Sequence, residues 1–455
     1  MTSSTIDLAF PDSAFPEWLA GLTFDRIPGH AIAAAKQALL DTLASGWAGI
    51  AADGVAPILD YVKSMGPGAA TLWATEATVS LNPVAAALGN GLLAAALDFD
   101  IVQEKGTPHA HIVMVPALLA LAEAIDCDGA RFLTAYVGGC EMAVRLGLAA
   151  KTQPGWFYSS VFGVIAGAAA CARLLDLGPD GIRAAIGIAL SRASGSQQAM
   201  IEGCSTKRLQ TAFAARDAVE SAWLAQAGVR GPVNVFSGSA GFQALYTSLD
   251  ANIPFVGLGD EWHFCAATYK FFPSCLCNHA AILAAQRAAG RRLRPEEIEQ
   301  CTVKLPPFSA RLVGAPFTPG SNPQTSAQFS VQYSVANALV RGGLTIADIS
   351  VPAVLDASVI ALAQRIKVEI DASATEWYTP ATVEILLSDG SFKSVRVDSI
   401  PDATTGQRAA ERRIEKARSC FTTGPSALTS EQFERLNHRI SQLGEVVHME
   451  DFWNL

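Results

Sequence analysis

A few ionisable side chains stand in surroundings almost free of other polarity. Asp98 and Asp100 end an apolar run in AAALDFDIVQEKGTPHAHIVMVPALLALAEA, and His109 and His111 open the next. Lys207 and Arg208 lie in EGCSTKRLQ at the start of an alanine-rich helical pattern, and Lys270 lies among aromatics in TYKFFPSCLCNHAAI. Carboxylate, imidazole and two ammonium groups are the parts needed to move a proton at a carbon beside a carboxylate. Each part has a plainer reading as well. Burial lowers a lysine's pKa unless an anion offsets it, yet Lys270 could equally lie at the surface with its stem over the phenylalanines. Lys207 and Arg208 could form a solvated helix end, and either histidine could be satisfied by backbone alone.

Other chemistries find less support. Cys275-x-Cys277-x-His279 offers thiols and an imidazole, but a structural zinc site needs four ligands and no second CxxC or HxxxH pair completes one. Buried thiols, and no metal, are the expectation there. Ser237-Gly-Ser-Ala-Gly lacks the strand-turn-helix setting of a nucleophile elbow. No Walker loop or dinucleotide fingerprint follows a strand, so nucleotide cofactors are not expected. Nine cysteines, an odd number spread thinly, fit reduced thiols better than a disulfide framework. A net charge of −9 argues against nucleic acid as a partner while leaving room for a local basic pocket that holds a small anion.

The elements that must position these groups fall into two kinds. At 455 residues the chain exceeds the usual reach of a single core, and with 50% hydrophobic and 16% charged residues it should bury a large one. Residues 27–226 carry alanine and leucine at spacings of three and four, which predicts helices, with stops at Gly178-Pro179 and at residues 228–232. Two charge-free runs, 77–97 and 152–172, contain Ser, Thr, Asn or Gln with Pro and Gly, so buried helices are expected rather than membrane spans. The first residues, MTSSTIDLAFPDSAF, lack the basic and apolar regions of a secretory signal, and a cytoplasmic protein is expected. Beyond Lys270 the pattern changes to alternating strands, CTVKLPP, RIKVEID, TVEILLSDGS and FKSVRV, with a hairpin turn at Ser388-Asp389-Gly390. Helical stretches are expected at 326–341 and 353–365, and from residue 406 onward helical spacing returns. The fold class expected is therefore mainly α: a large all-helical bundle formed by both chain ends (1–268 and 405–455) around a smaller inserted α+β domain (269–404).

Taken in order, LLDTLASGWAG, Asp-Phe-Asp followed by HAHIVMVPALLALAEA, FGVIAGAAACARLLDL, STKRLQTAFAARDAV, YKFFPSC and AQFSVQYSVANAL resemble the successive blocks of the MmgE/PrpD family, over about residues 12–445. That family includes 2-methylcitrate dehydratase, cis-aconitate decarboxylase and iminodisuccinate epimerase. The resemblance implies a site in the cleft between a helical and an α+β domain, a homodimer, no metal or organic cofactor, and a di- or tricarboxylate substrate. It places catalytic roles on Asp98, His109, Lys207 and Lys270 and a substrate-binding role on Tyr333. Arg208 is expected to join the lysines in neutralising substrate carboxylates, His109 to serve as acid-base group, and Asp98 to orient or assist it. The sequence departs from the family pattern at Phe157, where an imidazole is usual, at Gln210, and near Val102, where a threonine is usual. A hydro-lyase of the 2-methylcitrate dehydratase kind is the first expectation, then an epimerase, then a decarboxylase. The non-enzymatic alternative is a carboxylate-binding dimeric scaffold.

Overall fold

The helices of the first half approach one another closely because alanine and glycine line their contacts. The computed structural model describes residues 10–75, 78–106, 108–151, 155–400 and 407–455. The sequence expectations for the extreme N-terminus, and for the first residues of the two charge-free runs, lie outside that range.

The Pro83–Ala95 helix starts sharply. Asn82 caps it, its side chain accepting from the Ala85 N–H at 3.0 Å, and Pro83 takes the first turn, where a missing N–H costs nothing. Nearly every residue of this helix is buried. It packs against Thr206–Gln226, and at Gly91 a Cβ would stand 2.8 Å from Ala212 Cα, so the two backbones touch there. Thr206–Gln226 packs in turn on Tyr158–Leu174, and His111–Ile125 fills the space between Pro83–Ala95 and Tyr158–Leu174. The helical parts of the charge-free runs thus lie in the middle of a helical layer, while residues 79–81 of the first run form a strand instead of the expected helix. Among the described residues no helix is long and apolar enough to cross a membrane.

One element departs from the helical expectation for residues 27–226. Pro67–Leu72 (β1) and Val79–Leu81 (β2) pair antiparallel, and Asn90 secures the hairpin by accepting from Trp73 N at 2.9 Å and donating to Thr71 O at 2.8 Å. The β-branched residues of TLWATEATVSL favour this pleated form over a helix.

In the α+β part, Ile298–Leu305 (β3), Lys367–Ile370 (β4), Ala381–Leu387 (β5) and Phe392–Val397 (β6) form a sheet of order β4-β3-β5-β6, parallel between β3 and β4 and antiparallel elsewhere. The expected turn joins β5 to β6, with Gly390 at φ +83°. β5 alternates buried and half-buried residues, and the Leu276–Ala289 helix covers β5 and β6. The helix expected over 326–341 is broken: Pro323–Gln328 ends, and Ser330 caps a new helix, Val331–Arg341, by accepting from Tyr333 N at 3.1 Å. Likewise Asp356 caps Ala357–Arg365, shortening the stretch expected from 353. The molecule is mainly α with a smaller α+β part.

After the sheet the chain returns to the first helices. Gln407–Thr422 and Ser430–Ser441 both pack on Gly29–Gly49. Lys36 Nζ donates to Ser441 O at 2.7 Å, and Gly129 N donates to Val446 O at 2.8 Å. A Cβ at Gly129 would lie 1.7 Å from Leu443 O, so only glycine lets the last residues dock against Gly129–Ala149. Gly129→Ala is therefore expected to cost about 1–3 kcal/mol of stability by overpacking, read from the urea midpoint. An unchanged midpoint would show that the docking is dispensable.

Candidate active site

Where the Pro83–Ala95 helix runs out, Asp98 N–H donates to Ala95 O and the backbone turns left-handed, with φ +49° at Asp98. A non-glycine residue there costs about 1–2 kcal/mol and persists only if its surroundings hold it. Two lysines do so. Lys270 Nζ donates to the Asp98 carbonyl at 3.0 Å and to its Oδ2 at 2.7 Å, while Lys207 Nζ pairs with Oδ1. All three side chains are buried. Lys207 arrives in the first turn of Thr206–Gln226, packed against the Pro83–Ala95 helix that leads into Asp98. Lys270 arrives because Val102 and Thr268 exchange backbone hydrogen bonds of 3.0 and 2.8 Å, laying the two segments side by side.

The residue between the two aspartates is fixed from behind. Lys416, on Gln407–Thr422, donates to the Phe99 carbonyl at 2.6 Å and to buried Asp41 at 2.7 Å, and its ammonium sits 4.1 Å over the Phe99 ring. Asp100 then points at His109: Oδ2 lies 2.7 Å from Nδ1. The His109 backbone N–H donates to Ser159 Oγ at 3.0 Å. Asp98 was expected to orient or assist the imidazole; its carboxylate is instead held by the two lysines, and Asp100 is the carboxylate that bonds the ring. Lys416 is the supporting residue that sequence reasoning overlooked, and Asp100 was noticed there without being given a role. The aspartate pair was visible as Asp-x-Asp, but nothing local says which member meets which cation. His111 has a different fate, with Nδ1 2.6 Å from the Tyr136 hydroxyl inside the core.

The charges follow from these contacts. Burial acts to raise Asp98, but Lys207 and Lys270 outweigh it and hold the carboxyl far below the usual range. Asp100 is treated alike: burial raises it, and His109 and Lys270 bring it below its ordinary value. Burial lowers Lys270, but Asp98 and Asp100 overcome that and raise it, so this ammonium stays charged. For His109 burial wins over the pull of Asp100, and both lysines add to it, leaving the imidazole below its usual 6.5. The resting site holds a neutral histidine between fixed ions. His111 and His279, buried and lowered to about 3, stay neutral structural residues.

Asp98, His109, Lys207 and Lys270 line one cavity of about 40 Å³, room for about three waters, so its walls must part to admit a substrate. Val102, Phe157, Tyr158, Gln197 and Met200 complete the helical side; Cys275, Leu276, Phe308, Leu312, Phe329 and Tyr378 close the other. Phe157 takes the place opposite His109, ring centres 6.4 Å apart, and lies 5.9 Å from Lys207 Nζ. Gln210 binds Ser196 through both its oxygen and its nitrogen, away from the cavity.

Two expected substrate-binding residues are placed elsewhere. Arg208 does not line the cavity. It donates to Asp53 O at 2.8 Å and Thr325 Oγ1 at 3.0 Å, tying the helical layer to Pro323–Gln328, and burial lowers it to about 10. Tyr333 is fully buried, its ring against Phe317 and its hydroxyl donating to Asp348 O. Gln328 is a second tie that gave no signal in the sequence: it accepts from Cys275 N at 3.0 Å and donates to Ala96 O at 3.3 Å, two residues before Asp98. Cys275 and Cys277 lie at the start of the Leu276–Ala289 helix, with His279 inside it. Among the described residues no three His, Cys, Asp or Glu side chains converge as a metal site.

Comparison with known proteins bears on the same residues. The chain is similar to cis-aconitate decarboxylase of Aspergillus terreus, 29% identical over 348 residues (71% of this chain, 70% of that one). It is 29% identical to the human cis-aconitate decarboxylase over 353 residues (73% and 71%), and 27% to that of Mus musculus over 414 (85% and 81%). These relatives are enzymes. Residues 13–252, which carry Asp98, Asp100, His109 and Lys207, match the MmgE/PrpD N-terminal domain, and residues 272–441, beginning just after Lys270, match the MmgE/PrpD C-terminal domain. With most of its length and all but one of the cavity's charged groups inside those two matches, the chain belongs to the MmgE/PrpD family.

Proposed function

We propose that the protein is a cofactor-independent lyase that transfers a proton at a carbon next to a carboxylate of a small anion, and that it is a decarboxylase. One observation carries this reading: among the described residues the cavity presents a single imidazole, His109, against an aromatic wall at Phe157. Loss of CO2 needs only one proton donor. The C–C bond to the departing carboxylate breaks, its electron pair passes into an adjoining double bond, and negative charge gathers on the carbon beside a second carboxylate. His109, protonated once the anion beside it offsets its burial, returns one proton to that carbon. Lys207 and Lys270, fixed by Asp98, face the developing charge, and such preorganised cations can supply roughly 3 kcal/mol each. The named relatives are decarboxylases, which supports the same choice.

The hydro-lyase expected from the sequence remains the second reading, favoured by the neutral resting state of His109, which suits a base. Epimerisation needs acid-base groups on two faces, and Phe157 occupies one of them. The readings differ in the sign of their pH dependence. A donor must be protonated, so decarboxylation should give a kcat/KM that falls as pH rises through the lowered pKa of His109, with more activity at pH 5.5 than at 7.5. Proton abstraction should show the opposite slope. Incubation with cis-aconitate, citraconate, citrate and 2-methylcitrate in D2O, followed by NMR, tests the class. CO2 release with one deuterium fixed in the product supports the proposal, while water loss without CO2 selects the hydro-lyase. Binding without any turnover would leave a carboxylate-binding scaffold. A homodimer belongs to the same proposal, and a monomer mass by light scattering would remove it.

A further inference from the structure

The charge in the cavity is nearly spent before any ligand arrives. Lys207 and Lys270 both bind the Asp98 carboxylate, and the remaining titrating pair is His109 with Asp100. Two ammonium groups face two carboxylates, a net charge of zero with neutral imidazole and +1 with imidazolium. Among the described residues no further cation lines the space: Arg208 bridges Asp53 and Thr325, and Arg311, outside the lining, donates to Gln197 at 2.9 Å and lies 5.5 Å over Phe308. The rest of the wall is largely apolar, with Phe157, Met200, Phe308 and Phe329 meeting from both sides. A third carboxylate would have to lie against these side chains without a counter-ion, where burying a charge is costly. An alkyl group in the same place would gain contact area instead.

We propose that the natural substrate carries no more than two carboxylates together with an apolar substituent seated on the Phe157–Phe329 wall. The inference rests on the reading of this cavity as the carboxylate site and narrows its substrate class away from tricarboxylates.

Three 2-substituted succinates test it, because they differ only in what replaces one hydrogen: methylsuccinate, isobutylsuccinate and carboxymethylsuccinate (tricarballylate). Titration calorimetry on the intact protein at pH 7.5 should give isobutylsuccinate a Kd at least tenfold lower than that of tricarballylate, with methylsuccinate between. In Phe157→His the gap should narrow severalfold, since an imidazole can meet the third carboxylate. Tricarballylate binding as tightly as isobutylsuccinate in the unmodified protein overturns the inference and leaves the lyase reading standing. Absence of binding by all three overturns both. The expected order with no CO2 release from cis-aconitate or from the dicarboxylate glutaconate, whose leaving carboxylate sits on a carbon next to the double bond, upholds the inference while removing decarboxylation.

Discussion

Lys270→Ala is expected to lower kcat/KM by at least a hundredfold. The Lys270 ammonium is 1% exposed, remains charged, and reaches both the carbonyl and the carboxylate of Asp98. It therefore holds a left-handed turn in place and stands ready to meet charge that builds on substrate. One preorganised donor of this kind is worth roughly 3 kcal/mol of barrier, or about 150-fold in rate. Alanine also leaves Asp98 with Lys207 alone, and breaking a buried ion pair commonly costs about 3–5 kcal/mol, moderated here by the surviving partner. Kinetics should be read beside a thermal melt, with Lys270→Arg as a control that keeps the charge and changes its reach. A folded Lys270→Ala protein with more than a tenth of normal kcat/KM would remove this lysine from the chemistry.

Asp100→Asn should be nearly as damaging by a different route. Asp100 is the partner of His109 Nδ1, so it fixes which ring nitrogen faces the cavity and stabilises the imidazolium when it forms. An amide of the same shape removes the charge and can orient the wrong tautomer. In a catalytic triad of known mechanism the equivalent exchange costs about 10⁴ in kcat. Here a loss of about 10² or more in kcat is expected, with KM changed less than about threefold, because Asp100 does not line the cavity. The same exchange should lower the His109 pKa further, since it deletes the main influence that raises it. A kcat within threefold of normal would reassign Asp100 to packing.

How much of this was legible in the sequence depends on distance along the chain. Periodicity located the helices of 158–174 and 206–226 and the β5–β6 hairpin, because those patterns are local and Gly390 announces its own turn. Breaks governed by one capping side chain, Ser330 or Asp356, were missed, since a cap matters only where a backbone N–H lacks another partner. In the site, residue types pointed to a carboxylate, an imidazole and two lysines, but not to their pairing. The Asp98 contacts with Lys207 and Lys270 span 109 and 172 positions, so helix packing decides them. The destiny of Arg208 was hidden for the same reason: a guanidinium beside a site lysine looks like a ligand for anions until Asp53 and Thr325 claim it. Tyr333 reads as a hydroxyl donor in sequence and is turned into the core by the helix that Ser330 starts.

The Lys416 contact with the Phe99 carbonyl spans 317 residues and bears on how this protein is made. At bacterial-to-eukaryotic elongation speeds of about 5–20 residues per second, roughly 15–60 seconds pass on the ribosome between the appearance of Phe99 and that of its lysine. During that interval the nascent polypeptide holds its aspartate turn without the brace that completes it, and Asp41 waits without its counter-ion. Premature termination after Tyr378 but before Lys416 consequently yields a chain that contains the whole cavity lining yet has no means of clamping it.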